Sequence, residues 1–143
     1  FTEPELVQLR REFAPMQLHD DGRHLVDYWK TLTEWRGPGQ SNEDLMRYYP
    51  DHLRGGAHRH WGHRAAFAYS YPERLPQATQ PILVLNNGDD LQPYTPRAMQ
   101  YIRDGRLLER PDWGHGFLDS NTAEFAAILR GFFDAAPAAA GSA

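Results

Sequence analysis

The chain has 143 residues and a formal net charge of −4, and no stretch concentrates basic residues, so its charge gives no support to a nucleic-acid partner. It contains no cysteine, which removes disulfide and thiol chemistry, and no apolar run approaches the roughly 20 residues that span a bilayer, so no membrane partner is expected. This length holds one domain with a sizeable core. The cationic residues are almost all arginine, Lys30 being the only lysine, and with the many alanines this suggests a GC-rich bacterial gene. The opening Phe1-Thr2-Glu3-Pro4-Glu5 resembles neither a secretory signal nor a natural initiation site, and the expected location is cytoplasmic.

In chain order, Thr2-x-x-Glu5 is a capping box, and Leu6, Leu9 and Phe13 fall on one face of a helix that Pro15 ends. Asp20-Asp21-Gly22 is a turn, and Leu25, Tyr28, Trp29 and Leu32 after it mark the clearest amphipathic helix of the first half. Gly37-Pro38-Gly39 breaks the chain. Ser41-x-x-Asp44 caps a third helix carrying Leu45, Tyr48 and Tyr49, which Pro50 kinks or divides. After Gly55-Gly56, a fourth helical stretch from about Ala57 to Tyr69 places Trp61, Ala65 and Ala68 on one face.

Strand-like patterning begins only after Pro72. Ile82 to Leu85 form a continuous apolar run, as in a strand buried on both faces of a parallel sheet, and Asn86-Asn87-Gly88-Asp89-Asp90 reads as the polar turn that ends it. Thr95-Pro96 supplies a cap and an N1 proline for a helix with Met99 and Ile102 on one face, and Gly105 is its expected stop. Leu107-Leu108 form the next short strand, and His115 follows between two glycines. This strand–helix–strand unit places a carboxylate after its first strand and a histidine after its second, both at the carboxyl edge where open α/β sheets build their sites. Asn121-x-x-Glu124 caps a final helix with Phe125, Ile128, Leu129 and Phe132 on one face, and the Ala/Pro-rich tail 135–143 is expected to be disordered.

Pro81-Ile82-Leu83-Val84-Leu85 with Gly88-Asp89-Asp90, and Trp113-Gly114-His115-Gly116-Phe117 before an amphipathic helix, resemble the C-terminal part of an α/β-hydrolase. Asp21-Gly22-Arg23-His24-Leu25 and Trp61-Gly62-His63-Arg64-Ala65-Ala66-Phe67 resemble cap segments of bacterial members. The resemblance implies a helical cap over 1–71, the last part of a parallel α/β core over 72–134, and a triad in the chain order nucleophile, acid, histidine. His115 matches the base. Asp90 matches the acid better than Asp89, because it ends the turn just before Leu91, while Asp89 serves the turn itself. Twenty-five residues separate Asp90 from His115, enough for one helix and one strand. Asp112 and Asp119 read as turn or cap residues.

None of Ser41, Ser70, Ser120 and Ser142 lies in a Gly-x-Ser-x-Gly elbow, so the nucleophile and oxyanion donors are expected outside this chain. The implied activity is hydrolysis of an ester, lactone or similar bond of a small apolar substrate, by a serine nucleophile in the favoured reading and an aspartate in the alternative. The alternative is a non-catalytic remnant of the fold acting as an interaction module. The expected partners are the substrate, the missing N-terminal half of the hydrolase and, through exposed strand edges, a second copy. No cofactor and no metal are expected. His58, His60 and His63 invite a metal reading, but on a helix 58 and 60 point apart and no three of them converge. His24 either faces the substrate cavity or packs and caps. The dense aromatics Trp29, Trp35, Trp61, Tyr48, Tyr49, Phe67 and Tyr69 are read for the most part as ordinary helix packing, which composition does not separate from the lining of an apolar pocket.

Overall fold

The computed structural model describes residues 1–135, so most of the tail, 136–143, lies outside the described residues. Local signals set the first half. The Thr2 amide donates to the Glu5 carboxylate at 2.6 Å at the start of α1 (Glu3–Glu12), and Leu9 of α1 is buried. Gly22, at φ +73°, turns the chain into α2 (Arg23–Glu34), and the Asp21 carboxylate accepts the Arg23 amide at 3.1 Å. In α3 (Asn42–Arg54), Ser41 Oγ accepts the Asp44 amide at 3.1 Å and the Asp44 carboxylate accepts the Ser41 amide at 2.7 Å. Pro50 lies within α3 without dividing it. The two helices are tied where the Tyr49 hydroxyl donates to the Leu25 carbonyl at 2.5 Å and Trp29 meets Tyr49 edge-on at 5.4 Å.

The fourth helical stretch differs from expectation. Gly56–His58 is a 3₁₀ turn, and only Trp61–Ala68 forms the helix α4. The face bearing Trp61, Ala65 and Ala68 is exposed. The contacts with α1's end are made instead by the face carrying half-buried Phe67 and still-exposed His63, whose rings meet Phe13 at 5.7 and 4.1 Å, so aromatic stacking sets the helix rotation. A further short helix, α5 (Tyr71–Arg74), precedes the sheet.

The second half is a mixed α/β unit built on one parallel pair, β1 (Ile82–Asn87) and β2 (Gly105–Arg110), in register from Ile82↔Gly105 to Asn87↔Arg110. Two expectations are corrected here. Asn86 and Asn87 belong to β1 and are buried, at 3% and 9% exposure. At Asn86 the side-chain amide donates to the Glu109 carboxylate of the facing residue at 2.8 Å, which satisfies that donor. The connection is a 3₁₀ helix, Thr95–Tyr101, and Gly105 opens β2 instead of stopping a helix. A side chain at Gly105 would meet Ile102 Cγ2 at 2.7 Å and Met99 Cε at 2.9 Å, so the two apolar residues read for this helix do converge there.

Beyond β2, the short α6 (Phe117–Ser120) leads into α7 (Thr122–Asp134). Trp113, at 1% exposure, stacks on Phe117 at 5.2 Å, and Phe125 of α7 closes the cluster edge-on. Glu124 does not cap its helix; it pairs with Arg110 at the end of β2. The helical half reaches this unit through the Arg97–Glu5 pair at 3.0 Å and the Phe1 and Tyr94 rings at 4.9 Å.

Candidate functional site

Parallel pairing brings the chain segments after β1 and β2 to the same sheet edge. Gly88 locks them together. Its amide donates to both Arg110 O at 3.1 Å and Trp113 O at 2.6 Å, and a β-carbon there would stand 2.2 Å from Pro111 O. Only glycine allows that approach. Asp89 then turns the chain, its carboxylate accepting the Leu91 amide at 2.9 Å, and Asp90 is left pointing across the edge. His115 Nε2 donates to Asp90 Oδ1 at 2.9 Å. The two residues singled out from the sequence are therefore brought into contact, and Asp89 is the turn residue. The histidine meets the acid through Nε2, which leaves Nδ1 as its second nitrogen.

The pair is roughly half-exposed, its side chains retaining 44% and 38% of their accessibility. The hydrogen bond to Asp90 raises the His115 pKa above its ordinary value, against partial burial, with the charges of Asp90 and Asp89 adding in the same direction. The same bond holds the Asp90 carboxyl below its ordinary value, again against partial burial. The arrangement is a carboxylate hydrogen-bonded to an imidazole ring and orienting it. Such a pair takes a proton from a nucleophile and stabilises the imidazolium that forms.

A loop of the helical half grips the histidine segment. Arg36 and His115 form an isolated parallel bridge, and the indole of Trp35 stacks over the His115 ring at 5.8 Å and 21°. The backbones touch: a β-carbon on Gly37 would lie 2.5 Å from His115 O, and one on Gly114 would lie 2.6 Å from Gly37 Cα. Gln40 closes the loop by accepting the Gly37 amide at 3.0 Å, and it occupies the space a side chain at Gly116 (φ +80°) would need. Behind Trp35, Phe13 lies 6.1 Å away and stacks on His63 at 4.1 Å. Burial lowers the His63 pKa, the charge of Arg59 adding to this and that of Asp90 opposing it, so His63 lies within electrostatic range of the pair.

Gly37 and Gln40 were not legible as site residues, and Trp35 was read only as one of several aromatics that pack or line a pocket. Gly37-Pro38-Gly39 reads as a chain break, and its one signal was the glycine pair, matched by Gly114 and Gly116, that close backbone approach requires. The histidine cluster 58, 60 and 63 does not converge: His58 meets Trp61, buried His60 hydrogen-bonds Ala57 O at 2.9 Å, and His63 stacks on Phe13. Among the described residues, no group of three His, Asp or Glu side chains is placed to hold a metal ion. His24 accepts the His19 amide through Nδ1 at 3.1 Å and lines a groove of the helical half. Among the described residues, no helix is long and apolar enough to cross a membrane. No family model, no curated protein and no solved structure matches the chain.

Proposed function

We propose that this chain supplies the acid–base half of an α/β-hydrolase acting on an ester, lactone or similar bond of a small apolar substrate. The observation that carries the reading is the His115–Asp90 hydrogen bond at the carboxyl edge of a parallel β-x-β unit. In this reading His115 is base and then acid, Asp90 orients it, and the 36–40 loop belongs to a cap that holds the histidine segment. The nucleophile and the oxyanion donors come from residues outside this chain.

The test uses the chain joined to the protein segment carrying the nucleophile, assayed on a short-chain p-nitrophenyl ester. His115→Ala is expected to lower kcat/KM by about 10²–10⁴-fold while the protein stays folded. A folded His115→Ala protein with undiminished turnover overturns the reading. One observation favours a second reading, a non-catalytic module that binds another chain: a two-stranded sheet leaves edges unpaired, and Phe133 stands 72% exposed. Stable association without ester turnover would select it.

A further inference from the structure

The helical half contains an open groove of about 260 Å³ between α2 and the turn before α4, walled by Met16, His19, His24, Asp27, Tyr28 and Arg59. Arg59 is unlike the other arginines. The ion pairs among the described residues take up Arg10, Arg23, Arg47, Arg54, Arg97 and Arg110, and the arginines outside those pairs are exposed, apart from Arg59. Its guanidinium carbon sits 3.8 Å from the ring centroid of Tyr28, a buried residue, which fixes the plane of the fork without neutralising its charge. Asp27, on the same wall, is held by Lys30 at 3.4 Å. His24 Nδ1 accepts the His19 amide, so in the neutral ring the proton sits on Nε2 and a further donor is available to the groove.

A half-buried, pre-oriented guanidinium without a carboxylate partner among the described residues, next to an imidazole donor and an apolar Met16 wall, matches one ligand chemistry. We propose that this groove binds the carboxylate of a small organic acid, Arg59 engaging the carboxylate as a fork and Met16 meeting the apolar body. The proposal is independent of the hydrolase reading, because it concerns binding in the helical half alone and needs neither His115 nor a nucleophile.

The probes are benzoate and its neutral counterpart benzamide, titrated into the full chain and followed by amide NMR. Benzoate is expected to shift the resonances of Tyr28, His24 and Arg59, and benzamide to leave them unmoved. Arg59→Gln should weaken benzoate about tenfold or more, and Arg59→Lys, which keeps the charge and the stem, should weaken it less. Asp27→Asn, which removes the like charge, should tighten it. Equal response to benzoate and benzamide, undiminished benzoate binding by folded Arg59→Gln, or weaker binding by Asp27→Asn would each overturn the proposal. So would inorganic phosphate displacing benzoate at lower concentration, since that marks a phosphate site. The benzoate–benzamide contrast on the unmodified chain stands even if Arg59→Gln fails to fold.

Discussion

Gly88→Ala tests whether glycine at the strand edge is what holds the candidate pair together. The added β-carbon would stand 2.2 Å from Pro111 O, 3.0 Å from Pro111 C and 3.3 Å from Trp113 O, where ordinary contact begins near 3.4 Å. All three neighbours are backbone atoms, so no flexible side chain can move aside. The segments after β1 and β2 must part by about an ångström, lengthening the Gly88 N–H bonds to Arg110 O and Trp113 O. Overpacking of this kind costs roughly 1–3 kcal/mol. For a chain of this size each kcal/mol lowers the midpoint by about 2–6 °C, so a fall of roughly 2–18 °C is expected in a thermal melt. Gly131→Ala is the matched control. Nothing lies within 4 Å of its β-carbon position inside α7, so it should stabilise by about 0.5–1 kcal/mol. NMR titration of His115 completes the assay, because parted loops release the ring from Asp90 and its pKa falls. Gly88→Ala with an unchanged midpoint and an unchanged His115 titration would refute the argument.

Asp90→Asn should lower the His115 pKa measured by NMR, since it removes the acceptor that does most to raise it, while Asp89→Asn should lower it much less. The opposite ranking would move the acid to Asp89. The pair also sets a pH window. His115, raised when folded, contributes stability fully present below its unfolded value near 6.5 and lost as pH rises through the folded value. Asp90, lowered when folded, contributes stability present above its unfolded value near 3.8 and lost as pH falls through the folded value. Thermal melts from pH 3 to 9 should therefore show a contribution strongest between those two ordinary values, and Asp90→Asn should flatten it; an unaltered profile would deny the coupling. Trp35→Ala should shift the His115 ring-proton resonances by removing the indole's ring current, and Trp35→Phe should retain part of that effect. Unmoved resonances would show that the stack does not persist in solution.

The parallel pair and the contact between Asp90 and His115 were legible because each rests on local signals repeated in the right order. An apolar run, a turn with an Asx aspartate, a second run and a glycine-flanked histidine leave few ways to fold. What the sequence hid is what depends on distant partners. Asn86 and Asn87 look like turn residues until Glu109 is known to face Asn86 in register. The rotation of α4 could not be read from its own pattern, since Trp61 with Ala65 and Ala68 offers as plausible a face as His63 with Phe67. The choice is made by Phe13, some fifty residues earlier. Trp35 was one aromatic among several, and no periodicity distinguishes the one that stacks on a histidine.

The contact between the 36–40 loop and the 114–116 segment has a consequence for how such a site is held. A histidine between two glycines is free to turn, and the hydrogen bond to Asp90 fixes one edge of its ring only. The remaining freedom is removed from the helical half: the Trp35 indole covers one ring face, the Arg36 bridge aligns the backbone, and Gly37 admits no side chain between the two segments. The acid–base geometry is therefore shared between two parts of the chain, the sheet edge setting the distance and the helical loop setting the ring plane. Such a division couples the helical half to the histidine through packing and backbone contact. A change that loosens α2 from α3 reaches His115 through Trp35, whereas a change at α7 reaches it through Trp113 and Phe117. Loosening α2 from α3 is therefore expected to free the plane of the ring while keeping the 2.9 Å contact, and a change at α7 is expected to lengthen that contact; the His115 titration followed by NMR distinguishes the two.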